Sequence, residues 1–87
     1  MKRFEYCDEE EIRVDYDFPP SVEIIAAHTT EPDYSESRWV VYRKNGKLFE
    51  IEDSHCSCNG WNDEVCPGTE VNKEYLVKQH PGIEEFL

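Results

Sequence analysis

Between Ile12 and Phe18 apolar and charged residues alternate strictly: Ile12, Val14, Tyr16 and Phe18 are separated by Arg13, Asp15 and Asp17. Period-two alternation predicts a strand with one wet face. Pro19-Pro20 closes it, because proline cannot donate to a ladder. Ser21 to Thr29, with Val22, Ile24 and Ile25, is a second strand-like run. Its apolar residues fall on both faces, which suits a central strand, with a short helix as the alternative. Glu31 to Ser37 is polar, contains Pro32 and reads as a loop.

Arg38 to Asp53 carries the strongest pattern. Asn45-Gly46 separates two strand-like runs, and Asn-Gly is the preferred two-residue hairpin turn because both positions must accept positive φ. That turn sets a register pairing Lys44 with Lys47, Tyr42 with Phe49, and Val40 with Ile51. The last two pairs share a face and form a core stripe. Val41 with Glu50 and Trp39 with Glu52 lie on the opposite face, expected to be wetter, with Trp39 as its exception. A polar loop to Gly68 follows. Thr69 or Asn72 can then cap a helix to about Gln79, with Val71, Tyr75 and Leu76 as its apolar side. Pro81-Gly82 ends it, and Ile83 to Leu87 is an apolar-tipped tail. The order predicts one α+β domain over residues 1–87: an antiparallel sheet of three or four strands packed with a single C-terminal helix.

Length and composition keep that picture and add a constraint. A chain of 87 residues with 11 aromatics can fold, but its core is thin. The net charge of −11 is more than solubility needs. It argues against direct binding to nucleic acid or to an anionic membrane, and it favours a basic partner or a cation. No run approaches a membrane span of about 20 apolar residues. No apolar stretch of signal-peptide length follows Met1-Lys2-Arg3, so a cytoplasmic location with reduced thiols is expected.

The charge is uneven. Residues 1–37 hold 11 acids and 3 bases, a net −8. Residues 38–47 hold 4 bases and no acid, and residues 48–87 hold 9 acids and 2 bases. On a strand, Asp15 and Asp17 would point the same way about 6.5–7 Å apart, comparable to neighbouring phosphates. With Asp8, Glu9, Glu10 and Glu11 they would make a negative ridge able to occupy the basic groove of a DNA- or RNA-handling protein, and Tyr16 or Tyr34 could anchor it. A solvated acidic surface without a partner is the plain alternative. The basic hairpin tip, Arg43, Lys44 and Lys47, is weak evidence for nucleic acid and suits protection of a sheet edge.

Ser54-His55-Cys56-Ser57-Cys58-Asn59-Gly60-Trp61 is the candidate for metal chemistry. Cys56, Cys58 and Cys66 can supply thiolates to zinc, with His80 or His55 as a fourth ligand. The usual paired Cys-x2–4-Cys knuckles are absent, and Cys66 is followed by Pro67-Gly68 where a SWIM-type zinc motif has its histidine. Reduced, partly buried cysteines around a tight Gly60 turn are the simpler expectation. Cysteine catalysis would need a thiolate beside a base, whereas the negative field raises thiol pKa; the chain is not read as an enzyme.

Gly46-Lys47-Leu48-Phe49-Glu50 followed by Ser54-His55-Cys56-Ser57-Cys58-Asn59-Gly60 resembles a segment of small uncharacterised bacteriophage and prophage proteins. The resemblance implies a phage or bacterial setting and brings no assigned chemistry, and Cys66 is not an evident part of the pattern. Three functions follow in order. The first is a small acidic inhibitor or modulator that occupies a basic surface of a bacterial nucleic-acid-binding protein, as a DNA mimic, without a cofactor. The second is a zinc-stabilised accessory domain. The third is a small cysteine-dependent enzyme.

Overall fold

Asn45 and Gly46 both take positive φ, 54° and 76°, and close a hairpin whose strands pair in the register expected from the turn. Lys44 faces Lys47, Tyr42 faces Phe49, and Val40 faces Ile51. The computed structural model describes residues 1–30, 35–56 and 67–87, with His55 and Cys56 described through their backbone alone. Strand β1 is Phe4–Glu5, helix α1 is Glu9–Asp15, and β2 is Glu23–Thr29. Strands β3, Ser35–Lys44, and β4, Lys47–Cys56, make the hairpin. Strand β5 is Thr69–Val71, helix α2 is Lys73–Gln79, and Pro81–Phe86 is a 3-10 helix. The fold is α+β: one sheet in the order β1-β2-β3-β4-β5, with helical elements on both sides.

Three expectations are corrected here. The stretch expected as a first strand, Ile12 to Phe18, is helical up to Asp15. The Asp8 carboxylate accepts from the Glu11 amide at 2.8 Å as an N-cap, and Glu9, Glu10 and Glu11 fill the first turn, where negative charge suits the helix dipole. Arg13 reaches back to Glu9 one turn earlier. Ile12 and Tyr16, four residues apart, bury completely, while Val14 between them stays 74% exposed. A strand would have buried Val14 with them. The second correction is at Thr69–Val71, which pairs with β4 as an edge strand, so Asn72 alone caps α2 by accepting from the Tyr75 amide. The third concerns strand count and direction. Among the described residues there are five strands, and β1 joins β2 in parallel by a two-residue ladder in an otherwise antiparallel sheet.

The sheet has two dry sides. On one, Ile12 and Tyr16 of α1 pack with Phe18, Val22, Ile24, Ala27, Val40, Tyr42 and Ile51. Phe18 lies 4.7 Å from Tyr42, which stacks on Phe49 at 5.2 Å. On the other, Ile25 and Val41 meet Leu76 of α2 and Ile83 of the 3-10 helix. The hairpin face expected to be wetter is thus covered in its middle: Val41 is fully buried, at roughly 1.5–3 kcal/mol for a side chain of this kind. Gly68 has φ 123°, and a Cβ there would stand 2.9 Å from the Glu50 carbonyl oxygen, so glycine lets the returning chain lie against β4.

Candidate functional site

Strand alternation puts Arg38 on the same face of β3 as Val40 and Tyr42, pointing under α1. A buried guanidinium needs partners, and α1 supplies them. Nη1 donates to Asp15 Oδ2 at 2.7 Å, Nη2 approaches Glu11 Oε2 at 3.5 Å, and Nε donates to Thr29 Oγ1 at 3.1 Å. The Arg38 side chain is 2% exposed. Burial pulls its pKa down, but the hydrogen bond to Asp15, the neighbouring Tyr16 hydroxyl and the charge of Asp15 outweigh that, and the net shift is upward. Tyr16 in turn donates to Asp53 Oδ2 at 2.8 Å. Burial first, then the bond to Asp53 and its charge, push the Tyr16 hydroxyl well above its ordinary value. This polar network fixes α1 to the hairpin, and with it the orientation of every acid on the helix.

The remaining arginines are also engaged internally. Arg3 and Arg13 both reach Glu9, and Arg43 pairs with Glu23. At the hairpin tip Lys47 stands 3.9 Å from Glu70. The cationic tip is therefore partly neutralised by acids from neighbouring strands. Glu10 and Asp17 are exposed, and among the described residues no cation pairs with either. Asp8, Glu10, Glu11, Val14 and Asp15 border a shallow depression on the outer side of α1. An exposed aliphatic side chain, Val14, thus sits within a ring of carboxylates.

The expected ridge of Asp15 and Asp17 does not form as drawn, because the two are not on a strand. Asp15 closes α1 and holds Arg38, and Asp17 follows the helix with φ 57°. Tyr16 is fully buried and is excluded as a surface anchor. Tyr34 lies outside the described residues. So do Cys58, Cys66 and the side chains of His55 and Cys56, leaving only His80 of the expected zinc ligands. Among the described residues no three metal-ligating side chains converge. The His80 ring lies 4.2 Å from Trp39, and its Nε2 is 3.6 Å from Glu50 Oε2. Glu50 also accepts from Trp39 Nε1 at 2.8 Å and from the Tyr75 hydroxyl at 3.3 Å. The charge of Glu50, then a small burial contribution, the hydrogen bond to Glu50 and the charge of Glu52 raise the Tyr75 pKa. This cluster latches α2 and the 3-10 helix to the sheet.

A second, larger depression of about 650 Å³ opens at the end of the sheet near Arg38. Glu5 and Tyr6 line it from β1 and the residue after it, His28 and Trp39 from neighbouring strands, and Glu52 and Asp53 from β4. Sequence reasoning missed this grouping and the Arg38 network. One signal was present: Arg38 shares the inward face of Val40 and Tyr42, which requires acids to meet it.

Comparison of the chain with family models, curated proteins and solved structures returns no match. Among the described residues no helix is long and apolar enough to cross a membrane.

Proposed function

We propose that this protein is an acidic binding protein that occupies a basic surface of a nucleic-acid-handling protein in a bacterial cytoplasm. The observation that carries the proposal is the disposition of charge. The four arginines are engaged by acids of the same chain, and the exposed carboxylates of α1 surround the exposed Val14. Charge of this kind steers a basic partner at long range, and a small apolar contact at its centre holds it. Asp8, Glu10, Glu11 and Asp17 supply the attraction. Asp15 acts through Arg38 by setting the helix orientation. Val14 replaces Tyr16 as the anchor.

The test is capture from a bacterial lysate on the immobilised protein, with and without competing duplex DNA. The proposal expects basic partners that DNA displaces and that fail to bind a Glu10→Gln, Asp17→Asn, Val14→Ser variant. Partners indifferent to both DNA and those substitutions would refute it.

A further inference from the structure

The depression beside Arg38 is distinct from the outer side of α1, and its chemistry selects one kind of occupant. Its volume, about 650 Å³, lies within the range of small-ligand pockets, roughly 300–1,000 Å³. Glu5, His28, Trp39 and Glu52 are register partners across four strands and share one face, so two carboxylates, Glu5 and Glu52, border it, while Arg38 and Asp53 turn their side chains to the opposite face, under α1. There the Arg38 guanidinium is held by Asp15 at 2.7 Å and Glu11 at 3.5 Å. An entering anion would meet two carboxylates and no exposed guanidinium among the lining residues. An entering cation would meet a net negative wall in a partly desolvated recess.

The walls are flat as well as acidic. Tyr6 is 57% exposed and borders the depression. His28 and Trp39 form a second wall, their rings 5.1 Å apart. A guanidinium is planar, weakly hydrated, stacks on aromatic rings and forks onto carboxylates, whereas an ammonium is a compact, strongly hydrated point charge. We infer that this depression receives the guanidinium of an arginine side chain from a basic partner. The inference rests on the functional reading above for the source of that side chain and on the lining residues for its chemistry.

The test is a ¹⁵N NMR titration of the full chain with Nα-acetyl-arginine amide. The expected result is saturable shifts at residues 28–30, 37–39 and 52–54, including the Trp39 indole N–H. Glu5→Gln with Glu52→Gln should weaken binding by about fivefold or more, while Glu84→Gln on the 3-10 helix should not. Should the double variant lose its native spectrum, Tyr6→Asn serves instead, since asparagine tolerates the positive φ of 54° there, and the same weakening is expected. Shifts confined to residues 8–17, absence of saturation, or tighter binding of putrescine than of the arginine probe would each overturn the inference. So would inorganic phosphate shifting the same residues. A captured basic partner that leaves residues 28–30 and 52–54 unshifted overturns this inference and leaves the functional reading standing. A saturable arginine site with no basic partner captured does the reverse.

Discussion

Asp15 accepts a 2.7 Å hydrogen bond from Arg38, whose side chain is 2% exposed, while the Asp15 side chain keeps 28% of its surface in water. The pair couples the last residue of α1 to the first inward position of the hairpin. Removing one member of a buried pair strands the other. Asp15→Asn should therefore destabilise the fold by about 1–3 kcal/mol, and Glu11→Gln, at a longer and more exposed contact, by under about 1 kcal/mol. Urea unfolding of the two variants checks the order. Equal effects would mean that Asp15 is an ordinary surface acid.

The Tyr16 hydroxyl gives a pH prediction. Folding raises its pKa above the ordinary 10.0. Above that value the unfolded chain releases the proton while the folded chain keeps it, so stability is intact below pH 10 and falls as pH rises beyond it. Tyr16→Phe loses the bond to Asp53, about 1–2 kcal/mol at neutral pH, and should flatten the alkaline fall. Melting temperatures between pH 8 and about 11 test this; parallel curves for the two proteins would contradict it.

The turn glycine offers a cleaner backbone test. A Cβ at Gly46 meets nothing within 4 Å, yet φ is 76°. Gly46→Val should cost about 1–2 kcal/mol from backbone strain alone, measured by chemical denaturation. Gly68→Ala adds a clash with the Glu50 carbonyl to its positive φ and should cost more. The reverse order would show that the β4–β5 approach is loose.

Legibility followed how local each signal was. The hairpin could be read because Asn45-Gly46 dictates its own register. Helix α1 was hidden because Ile12, Val14, Tyr16 and Phe18 mimic strand alternation. The competing signal was Asp8 followed by Glu11 three residues later, with Ile12 and Tyr16 one helical turn apart. The second dry face was hidden because its cover, Leu76 and Ile83, comes from elements distant in sequence. The α1 acids were legible as charge, but which were structural depended on Arg38, a tertiary relationship.

Metal removal is a further check. The described cores close on both sides of the sheet through apolar side chains. Protein purified without chelator should thus keep its melting midpoint when EDTA is added. A stoichiometric zinc content with a large drop in midpoint would assign Cys56, Cys58 and Cys66 the stabilising role.

Once a basic partner is in hand, the most direct measurement is its association rate as a function of salt. Steering by the α1 carboxylates predicts a steep decline with ionic strength. Glu10→Gln with Asp17→Asn should slow association by about three- to tenfold at low salt and flatten the dependence, whereas Glu84→Gln with Glu85→Gln on the 3-10 helix should leave both largely unchanged. Equal effects from the two pairs, or a rate indifferent to salt, would contradict the assignment of α1 as the binding face.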